Sequence, residues 1–517
     1  MPEYLTPGVY VEEFEIGAKP IEGVSTSTAG MLGPTERGPS TPQLVTNWLQ
    51  FQRMYGSYID GSYLAYAVDG FFANGGQRCY IGRVVANDAS KASLKLTAAG
   101  SDALTVEAIG EGSWGNRIVV KVGTGTLNTG ANPLFKLSVF YWKDPLPTTL
   151  FDPETDKKTK PQPAMIEVFD NLSISPTSPD YFNLKVNGIS NLITISKQTN
   201  DSGNMPNSPS AVTSLGGTGL DGTAIGIDDY LRDSATDDVP GNRKGLTAFK
   251  EIDEISIVYV PDASNIQGLV SKIITHCEEL KDRFAIIDAD DGSSNVSNIN
   301  PRNNFDTKYA AFYYPWIRIM DSVTGAEKLV PPGGHMAGIY ARSDVERGVH
   351  KAPANEVVRG AMDLEFQITK GEQGILNPRG VNVIRAFPGR GIRVWGARTL
   401  SSDALWKYIN VRRLFIFVEE SIEEGTQWVV FEPNDEKLWA RVRATITQFL
   451  TRVWRDGALM GTKPEEAFFV KCDRTTMTQD DIDNGRLICI IGIAPVKPAE
   501  FVIFRIAQWA GGSSATE

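Results

Sequence analysis

The feature that most constrains this sequence is a strand–helix–strand pattern between residues 255 and 288. Two apolar runs, 255–260 and 284–288, flank an amphipathic segment at 266–280. Short apolar runs without alternation are typical of parallel strands that are buried on both faces. Parallel strands joined through a helix need a crossover connection, so the pattern predicts an α/β domain built on a parallel sheet.

The α/β pattern is interrupted by a segment of different character. Residues 26–88 alternate between strand and helix signals, whereas 89–220 contains short alternating runs separated by Gly, Asn, Pro and Ser. Such runs are typical of all-β structure. We therefore predict an α/β middle domain formed by 26–88 and 221–365, with a β-rich outer domain inserted at 89–220. Within the insertion, the polar and Pro-rich stretch 143–163 is predicted to be a surface excursion, with no role assigned.

The two ends complete a prediction of an α+β multidomain protein. Residues 1–25 are predicted to be an extended arm, 366–500 an α+β assembly domain, and 501–517 a second arm. The clearest helix of the chain spans 435–456, with an apolar stripe at helical spacing. Its opposite face is predicted to carry polar residues, namely Arg441, Thr445, Gln448, Arg452 and Arg455.

Both arms contain a predicted strand without a nearby hairpin partner. In the first arm, Val9 and Val11 share one face of the strand, while Tyr10, Glu12 and Phe14 share the other. Such a strand can pair with another chain; the alternative is an edge strand within its own domain. The second arm is predicted to offer a strand formed by Phe501, Val502, Ile503, Phe504, Arg505 and Ile506.

Composition restricts the possible partners and locations. The net charge of −11 argues against nucleic-acid binding, which needs a surplus of Lys and Arg. The apolar run 487–496 is too short for direct membrane insertion, which requires about 20 residues. The first residues, 1–13, have neither the basic nor the apolar region of a signal peptide. Four scattered cysteines without CxxC spacing are expected to be reduced core residues, and the chain is expected to be made in a cytoplasm.

The motifs that suggest cofactors or metals lack the context that such sites need. GxGxxG occurs at 110–115 and 217–222, but neither segment opens a helix after a strand, as phosphate binding requires. The run 288–292 is similar to a calcium loop, but its glycine comes one position early and no glutamate follows at the ligand spacing. We therefore expect no cofactor and no metal.

One pair of residues raises the possibility of a serine hydrolase. Asp288 ends a predicted strand and His335 lies in Gly333-Gly-His-Met-Ala-Gly338, and these segments resemble those of subtilisin-like proteases. A serine held close to the histidine would also be needed. No suitable serine segment follows, so we expect the fold of such an enzyme without its chemistry, and no enzymatic activity.

Several segments together resemble the contractile tail sheath proteins of phages and phage-derived injection systems. The N-terminal signature is Thr6-Pro-Gly-Val-Tyr-Val-Glu-Glu13. Other similar segments are spread in order along the chain: Trp114-Gly-Asn-Arg117, Ala337-Gly-Ile-Tyr-Ala-Arg342, Gly380-Val-Asn-Val-Ile-Arg385, Val394-Trp-Gly-Ala-Arg-Thr-Leu400, Asn410-Val-Arg-Arg413, Val430-Phe-Glu-Pro-Asn434 and Pro498-Ala-Glu-Phe501.

The resemblance implies a self-assembling machine part. Family members stack as hexameric rings around an inner tube, contract when the baseplate triggers them, and drive the tube through a target envelope. It also implies a subtilisin-like topology in the middle domain, arms that pair with neighbouring copies, and baseplate and tail-terminator proteins as partners within a phage tail or injection-system particle. We further expect Arg441, Arg452 and Arg455 to face the tube. A non-contractile shell or tube protein is the remaining alternative, but tube subunits are usually smaller and mainly β.

Overall fold

A computed structural model describes residues 20–98, 101–129, 133–197, 205–207 and 210–506 of the chain. The predicted N-terminal strand, with Val9, Tyr10, Val11, Glu12 and Phe14, lies outside the described residues.

The described residues form twenty β-strands. In chain order these are β1 (Ala29–Gly33), β2 (Gln43–Val45), β3 (Cys79–Arg83), β4 (Ser93–Ala98), β5 (Ser101–Ala108), β6 (Ile118–Thr124), β7 (Phe135–Tyr141), β8 (Met165–Leu172), β9 (Ile193–Lys197), β10 (Thr213–Ser214), β11 (Ile257–Tyr259), β12 (Phe284–Asp288), β13 (Ala310–Tyr314), β14 (Ile317–Met320), β15 (Glu327–Val330), β16 (Ala361–Leu364), β17 (Val381–Phe387), β18 (Gly391–Val394), β19 (Phe468–Lys471) and β20 (Ile490–Ile493).

The same residues form eleven α-helices. They are α1 (Trp48–Tyr55), α2 (Leu64–Ala73), α3 (Phe182–Lys185), α4 (Ile227–Leu231), α5 (Leu269–Leu280), α6 (Gly333–Arg347), α7 (Lys370–Leu376), α8 (Ile409–Gly425), α9 (Glu436–Arg455), α10 (Pro464–Ala467) and α11 (Gln479–Asp483). None of the helices in the described ranges combines the length and apolarity that crossing a lipid bilayer requires.

The largest sheet has eight strands in the order β18-β17-β13-β12-β11-β1-β3-β2. Its six inner strands are parallel, and the edge strands β2 and β18 run antiparallel to their neighbours. The strand–helix–strand unit predicted from residues 255–288 is confirmed, since β11 and β12 are parallel neighbours and α5 connects them. All residues of β1 and β12 are buried, as expected for strands covered on both faces.

The inserted segment folds into two antiparallel sheets around its own core. One sheet has the order β4-β5-β9 and the other β10-β6-β7-β8. They share one apolar cluster that includes Trp114 and Tyr141. The excursion 143–163 packs on the sheet formed by β6 and β7, because Leu146, Leu150 and Phe151 contact the buried Phe140 and Trp142. Ion pairs from Lys121 and Lys136 to Asp152 and Glu154 hold it there.

The C-terminal part is built around two long helices and a small sheet. Helices α8 and α9, the pair β19–β20 and the buried Ile21 contribute to one apolar cluster. The segment 366–500 nevertheless does not form a separate unit throughout, because β17 and β18 belong to the largest sheet. Strand β17 pairs with β13, whose edge would otherwise be left without a backbone partner, and β18 pairs with β17.

Candidate assembly site

A single carboxylate fixes the chain just before its C-terminal segment. Glu500 accepts two hydrogen bonds from the Arg398 guanidinium, each of 2.8 Å. It also accepts one from the Tyr408 hydroxyl at 2.9 Å and one from the Asn377 amide at 2.7 Å. Burial alone would raise the pKa of Glu500, but the hydrogen bonds, with that from Arg398 the largest, outweigh it and lower the pKa to about 2. The carboxylate therefore stays charged and anchors the chain.

The segment that follows this anchor exposes a continuous apolar surface. Residues 501–506 have no regular secondary structure in this chain, and five of the six are apolar. Phe504 is 83% exposed and Ile506 is 95% exposed. The strand predicted here is therefore not formed with any described part of its own chain. Exposed apolar stretches of this kind are typical of interaction sites.

The first described residues are held against α8. Ile21 is only 1% exposed and lies so close to Gly425 that a Cβ on that glycine would come within 2.7 Å of the Ile21 Cγ1 atom. The backbone N–H of Val24 donates a hydrogen bond of 3.1 Å to the Ser421 hydroxyl. The chain therefore enters the fold along the C-terminal half of α8.

A buried ion pair fastens this entry segment to two helices. The Arg413 guanidinium of α8 binds the Asp344 carboxylate of α6 with hydrogen bonds of 3.0 and 2.6 Å. The Thr26 hydroxyl donates to the same carboxylate at 2.7 Å, and the Thr26 carbonyl accepts from Arg413 at 2.7 Å. The side chains of Arg413 and Asp344 are 3% and 4% exposed. Such pairs are costly to break, because removal of one partner leaves a buried charge.

Helix α8 thus carries both ends of the described chain. Its N-cap residue, Tyr408, contacts Glu500, and Asn410 in its first turn donates to the Val496 carbonyl at 3.3 Å. Its last turns contact Ile21 and Val24. A helix of 17 residues is about 25 Å long, so the two anchors lie on one rigid element and are separated by most of its length.

The small sheet next to these anchors is incomplete. Strands β19 and β20 pair only with each other among the described residues. Phe469 and Ile490 of this pair are 51% and 47% exposed. An isolated strand pair is marginally stable, and its free edges can accept further strands.

The arginine face of α9 is largely as the sequence predicts. The helix begins at the N-cap Asp435, whose carboxylate accepts a hydrogen bond of 2.8 Å from the Leu438 N–H. Arg441, Arg452 and Arg455 are all exposed, and the Arg441 guanidinium lies 4.6 Å from the centre of the Trp428 ring. The prediction that Thr445 belongs to the polar face is wrong. Thr445 is fully buried, because it lies beside the apolar stripe that packs on the core.

The Asp288 and His335 side chains do not form a catalytic pair. The Asp288 carboxylate accepts a hydrogen bond of 2.6 Å from the Tyr259 hydroxyl through Oδ2. Its Oδ1 atom and the His335 Nδ1 atom have no hydrogen-bonding partner in the described part of the chain. Burial raises the pKa of Asp288 to about 7 and lowers the pKa of His335 to about 4. No base oriented toward a nucleophile is thus formed by these residues.

The glycines around His335 serve the packing of helices instead. A Cβ on Gly334 would lie 2.4 Å from the Ala67 Cα atom, and one on Gly338 would lie 2.4 Å from the Phe71 carbonyl oxygen. Both contacts are with α2, which packs against α6. The glycines therefore allow the two backbones to approach more closely than any side chain would permit.

The sequence does not single out the anchor residues, although they lie in or near the segments that resemble tail sheath proteins. Arg398 and Glu500 come from the segments 394–400 and 498–501, which the fold brings together. Arg413 ends the segment 410–413, and its partner Asp344 follows the segment 337–342. The available signal was the presence of charged residues in these segments, but the sequence did not indicate which charges pair.

Two family descriptions match this chain. The phage tail sheath protein central domain matches residues 226–400, and the phage tail sheath C-terminal domain matches residues 401–508. Together these matches cover more than half of the chain.

Curated relatives point in the same direction. A putative prophage major tail sheath protein of Pseudomonas aeruginosa (strain UCBPP-PA14) is 25% identical over 262 residues, which is 49% of this chain and 65% of the relative. The tail sheath protein of Escherichia phage P2 is 27% identical over 210 residues, covering 38% of this chain and 52% of that protein. The matched part of the chain thus spans half to two-thirds of the length of these relatives.

Solved structures share the fold over nearly the whole chain. A chain of the anti-feeding prophage baseplate has a TM-score of 0.57 at 24% identity, covering 98% of this chain and 99% of its own. A chain of the extracellular contractile injection system PVC, from its sheath complex in the contracted state, has a TM-score of 0.60 at 22% identity, with coverage of 98% and 99%. At these identities the likeness is one of fold, a mixed α/β arrangement of several sheets.

Proposed function

Because this chain belongs to the contractile tail sheath protein family, we propose that it polymerises as stacked hexameric rings around an inner tube and contracts to drive the tube through a target envelope. Its partners are further copies of itself, the tube protein, and baseplate and tail-terminator proteins. The relatives described as tail sheath proteins, and the contracted sheath complex with the same fold, support this function. Nucleic acid and membrane lipid are not among the proposed partners. The particle is a phage tail or an injection system that is assembled in a cytoplasm.

The observation that carries the proposal is the anchored but unpartnered segment 501–506. Its apolar side chains are exposed, although Glu500, immediately before them, is held by Arg398, Tyr408 and Asn377. Strand addition to a neighbouring copy would cover them and satisfy the backbone at the same time. The pair β19–β20 is the acceptor that we propose, because no third strand pairs with it among the described residues. The N-terminal strand at 8–14 would be exchanged in the same way.

Alternation along the C-terminal strand identifies the face that would be buried. Val502, Phe504 and Ile506 share one face, whereas Arg505 lies on the other face with Phe501 and Ile503. The face with three apolar residues should lie against the core of the neighbouring copy. The backbone hydrogen bonds of the added strand would keep copies connected while their packing changes.

Contraction in this scheme needs no bound fuel. The energy would be stored as the difference in free energy between two packings of the same subunits, and the arms would keep neighbours tethered during the change. A difference of a few kcal/mol for each copy is sufficient when many copies change together. Both anchors on α8 support this role, because the arms then start from one rigid element.

The finer architecture is part of the same proposal. We assign a middle domain of subtilisin-like topology to 26–88 and 221–365 together with β17 and β18, an outer domain to 89–220 and an assembly domain to the remainder of 366–500, with arms at 1–25 and 501–517. No enzymatic activity is proposed, since Asp288 is engaged by Tyr259. A fluorophosphonate probe for active-site serines should therefore leave the folded protein unlabelled, and labelling that is lost in His335→Ala would contradict this part.

A charged contact with the tube is proposed for α9. Arg441, Arg452 and Arg455 are exposed and lie outside the buried stripe of the helix. Individual surface ion pairs contribute only about 0–1 kcal/mol, which suits a contact that must be released on contraction.

The arm is tested by a triple variant with a matched control. Replacement of Val502, Phe504 and Ile506 by Ser should leave a folded, soluble subunit that fails to form cylinders in negative-stain electron microscopy. Arg505→Ser changes the other face and should still assemble. Deletion of 1–16 should also prevent polymerisation without unfolding the subunit. Normal cylinders from the triple variant, with circular dichroism unchanged, would refute strand exchange by this segment.

A further inference from the structure

The two cysteines of the C-terminal region face each other across β19 and β20. Lys471 lies opposite Ile490 in the last pair of this antiparallel ladder. The next residue outward on each side is a cysteine, so Cys472 lies opposite Cys489. All four cysteines are free thiols, as the sequence predicts, and antiparallel pairing brings these two together although they are far apart in the sequence.

The register of the ladder also fixes the type of pair. At the other end of the ladder, the backbone N–H of Ala494 donates a hydrogen bond of 2.8 Å to the Ala467 carbonyl. Hydrogen-bonded and non-hydrogen-bonded pairs alternate along an antiparallel ladder. Counting from that bond, Cys472 and Cys489 form a non-hydrogen-bonded pair, in which Cα atoms are about 4.5 Å apart. This distance lies within the range of about 4.4–6.8 Å that a disulfide spans.

The surroundings differ between the two thiols. Cys472 is fully buried, whereas Cys489 is half-buried. Burial and then the neighbouring Cys472 thiol raise the pKa of Cys489 to about 12. The remaining cysteines, Cys79 in β3 and Cys277 in α5, are fully buried in the core around the largest sheet.

We propose that Cys472 and Cys489 are a redox site that closes a disulfide when the protein meets a small oxidising disulfide. The Cys489 thiolate attacks one sulfur of glutathione disulfide, and one glutathione leaves as a thiolate that takes up a proton. Cys472 then loses its proton and attacks the Cys489 sulfur, which expels the second glutathione. The protein loses two protons and two electrons, and glutathione disulfide takes them up to become two glutathione molecules.

The disulfide would link the two ends of a chain segment that contains α11. It closes a loop around residues 473–488 and fixes β19 to β20, the strand pair that we propose as the acceptor for a neighbour's arm. The high pKa of Cys489 makes exchange slow near neutral pH. The thiols would therefore stay reduced during assembly and form the bond after prolonged exposure to an oxidising environment. This consequence for assembly rests on the proposed function, whereas the formation of the bond does not.

The test uses the full-length, unassembled chain with glutathione disulfide at pH 8.5. After denaturation and alkylation, peptide mapping should find one disulfide between Cys472 and Cys489, with Cys79 and Cys277 alkylated. Cys472→Ser should instead retain glutathione on Cys489, because the second thiol is missing. Cys489→Ser should carry no glutathione, since Cys472 is buried. Hydrogen exchange of amides in β19 and β20 should slow about 100-fold on oxidation, as expected for closing a loop of this length.

Each outcome decides the inference without reference to sheath formation. Four alkylated cysteines in the wild type, a disulfide involving any other pair, or a stable glutathione adduct on wild-type Cys489 would overturn it. Loss of sheath assembly in the arm variants, with the bond still formed in their subunits, would leave it standing. Failure of wild-type subunits to form cylinders, by contrast, would count against the proposed function alone.

Discussion

The Arg398 guanidinium and the Glu500 carboxylate join through two hydrogen bonds of 2.8 Å, although the residues are 102 positions apart. This pair fixes the point at which the chain leaves its own fold. The position of the apolar segment 501–506 relative to the largest sheet therefore depends on one carboxylate, and the anchor can be tested separately from the arm.

Glu500→Gln should weaken this anchor while keeping its shape. The variant loses the charge that the guanidinium faces, and we expect the free energy of unfolding to fall by about 2 kcal/mol at pH 7, in the range measured for hydrogen bonds to charged groups. Urea denaturation followed by tryptophan fluorescence measures the difference. The subunit should remain folded, since the anchor lies outside the three main apolar clusters.

The same pair predicts a pH dependence with a defined sign. The pKa of Glu500 is about 2 in the fold and 4.5 as its ordinary value, so its contribution is complete above about pH 5. As pH falls from 4.5 toward 2, the unfolded chain takes up the proton first and the contribution is lost. The stability difference between wild type and Glu500→Gln should therefore shrink over this range. A difference that remained constant down to pH 3 would contradict the assigned anchor.

Asp344→Asn should destabilise the subunit more than a comparable change on the surface. Asp344 and Arg413 are almost fully buried, and the change leaves the guanidinium without a charged partner at a cost of about 3 kcal/mol. Asp102→Asn is the matched control. The Asp102 and Lys95 side chains are 39% and 61% exposed, so their ion pair contributes less than about 1 kcal/mol. Urea denaturation should separate the two variants, and equal effects would argue against the entry segment being fastened by this pair.

The parts of the fold that were predictable are those coded by local patterns. Runs of apolar residues predict β11 and β12. A stripe of apolar residues at helical spacing predicts the buried face of α9, from Leu438 to Val453. The positions of β17 and β18 in the largest sheet were not predictable in this way. A strand that completes a sheet has the same local sequence pattern as a strand in a separate domain. The position of β17 is determined by the free edge of β13, which the local pattern does not reveal.

The anchors were not predictable for a related reason. Arg398, Arg413, Asp344 and Glu500 resemble many other charged residues of the chain, and their partners are chosen by the tertiary fold. The arms at 1–25 and 501–517 stay a prediction, which rests on apolar strands that have no hairpin partner nearby in the sequence. Pairing of those arms with neighbouring copies stays a prediction.

Gly334→Ala should be destabilising because the added methyl group would meet the backbone of α2. Its Cβ would lie 2.4 Å from the Ala67 Cα atom, so the helices would have to separate, at a cost of about 2 kcal/mol or more. Gly374→Ala in α7 is the control, since nothing lies within 4 Å of its Cβ and helix propensity favours alanine by about 1 kcal/mol. Thermal unfolding should show opposite shifts for the two variants. A stable Gly334→Ala protein would mean that α2 and α6 are not held in close contact.

Charge reversal on α9 should affect assembly around the tube and leave the isolated subunit intact. Replacement of Arg441, Arg452 and Arg455 by Glu changes exposed side chains only, apart from the contact of Arg441 with Trp428. We expect the free energy of unfolding to change by less than about 1 kcal/mol, as is usual for surface positions. Co-expression with the tube protein should then yield no extended sheath in negative-stain micrographs, because repulsion replaces attraction along the helix.

The same change of charge at another surface provides the control for this prediction. Lys157, Lys158 and Lys160 are exposed on the excursion of the outer domain, and their replacement by Glu alters the net charge equally. This variant should assemble extended sheaths around tubes as the wild type does, because the excursion lies in the outer domain and not on α9. If both variants fail, net charge and not the α9 face controls assembly. If the arginine variant assembles normally, α9 does not face the tube.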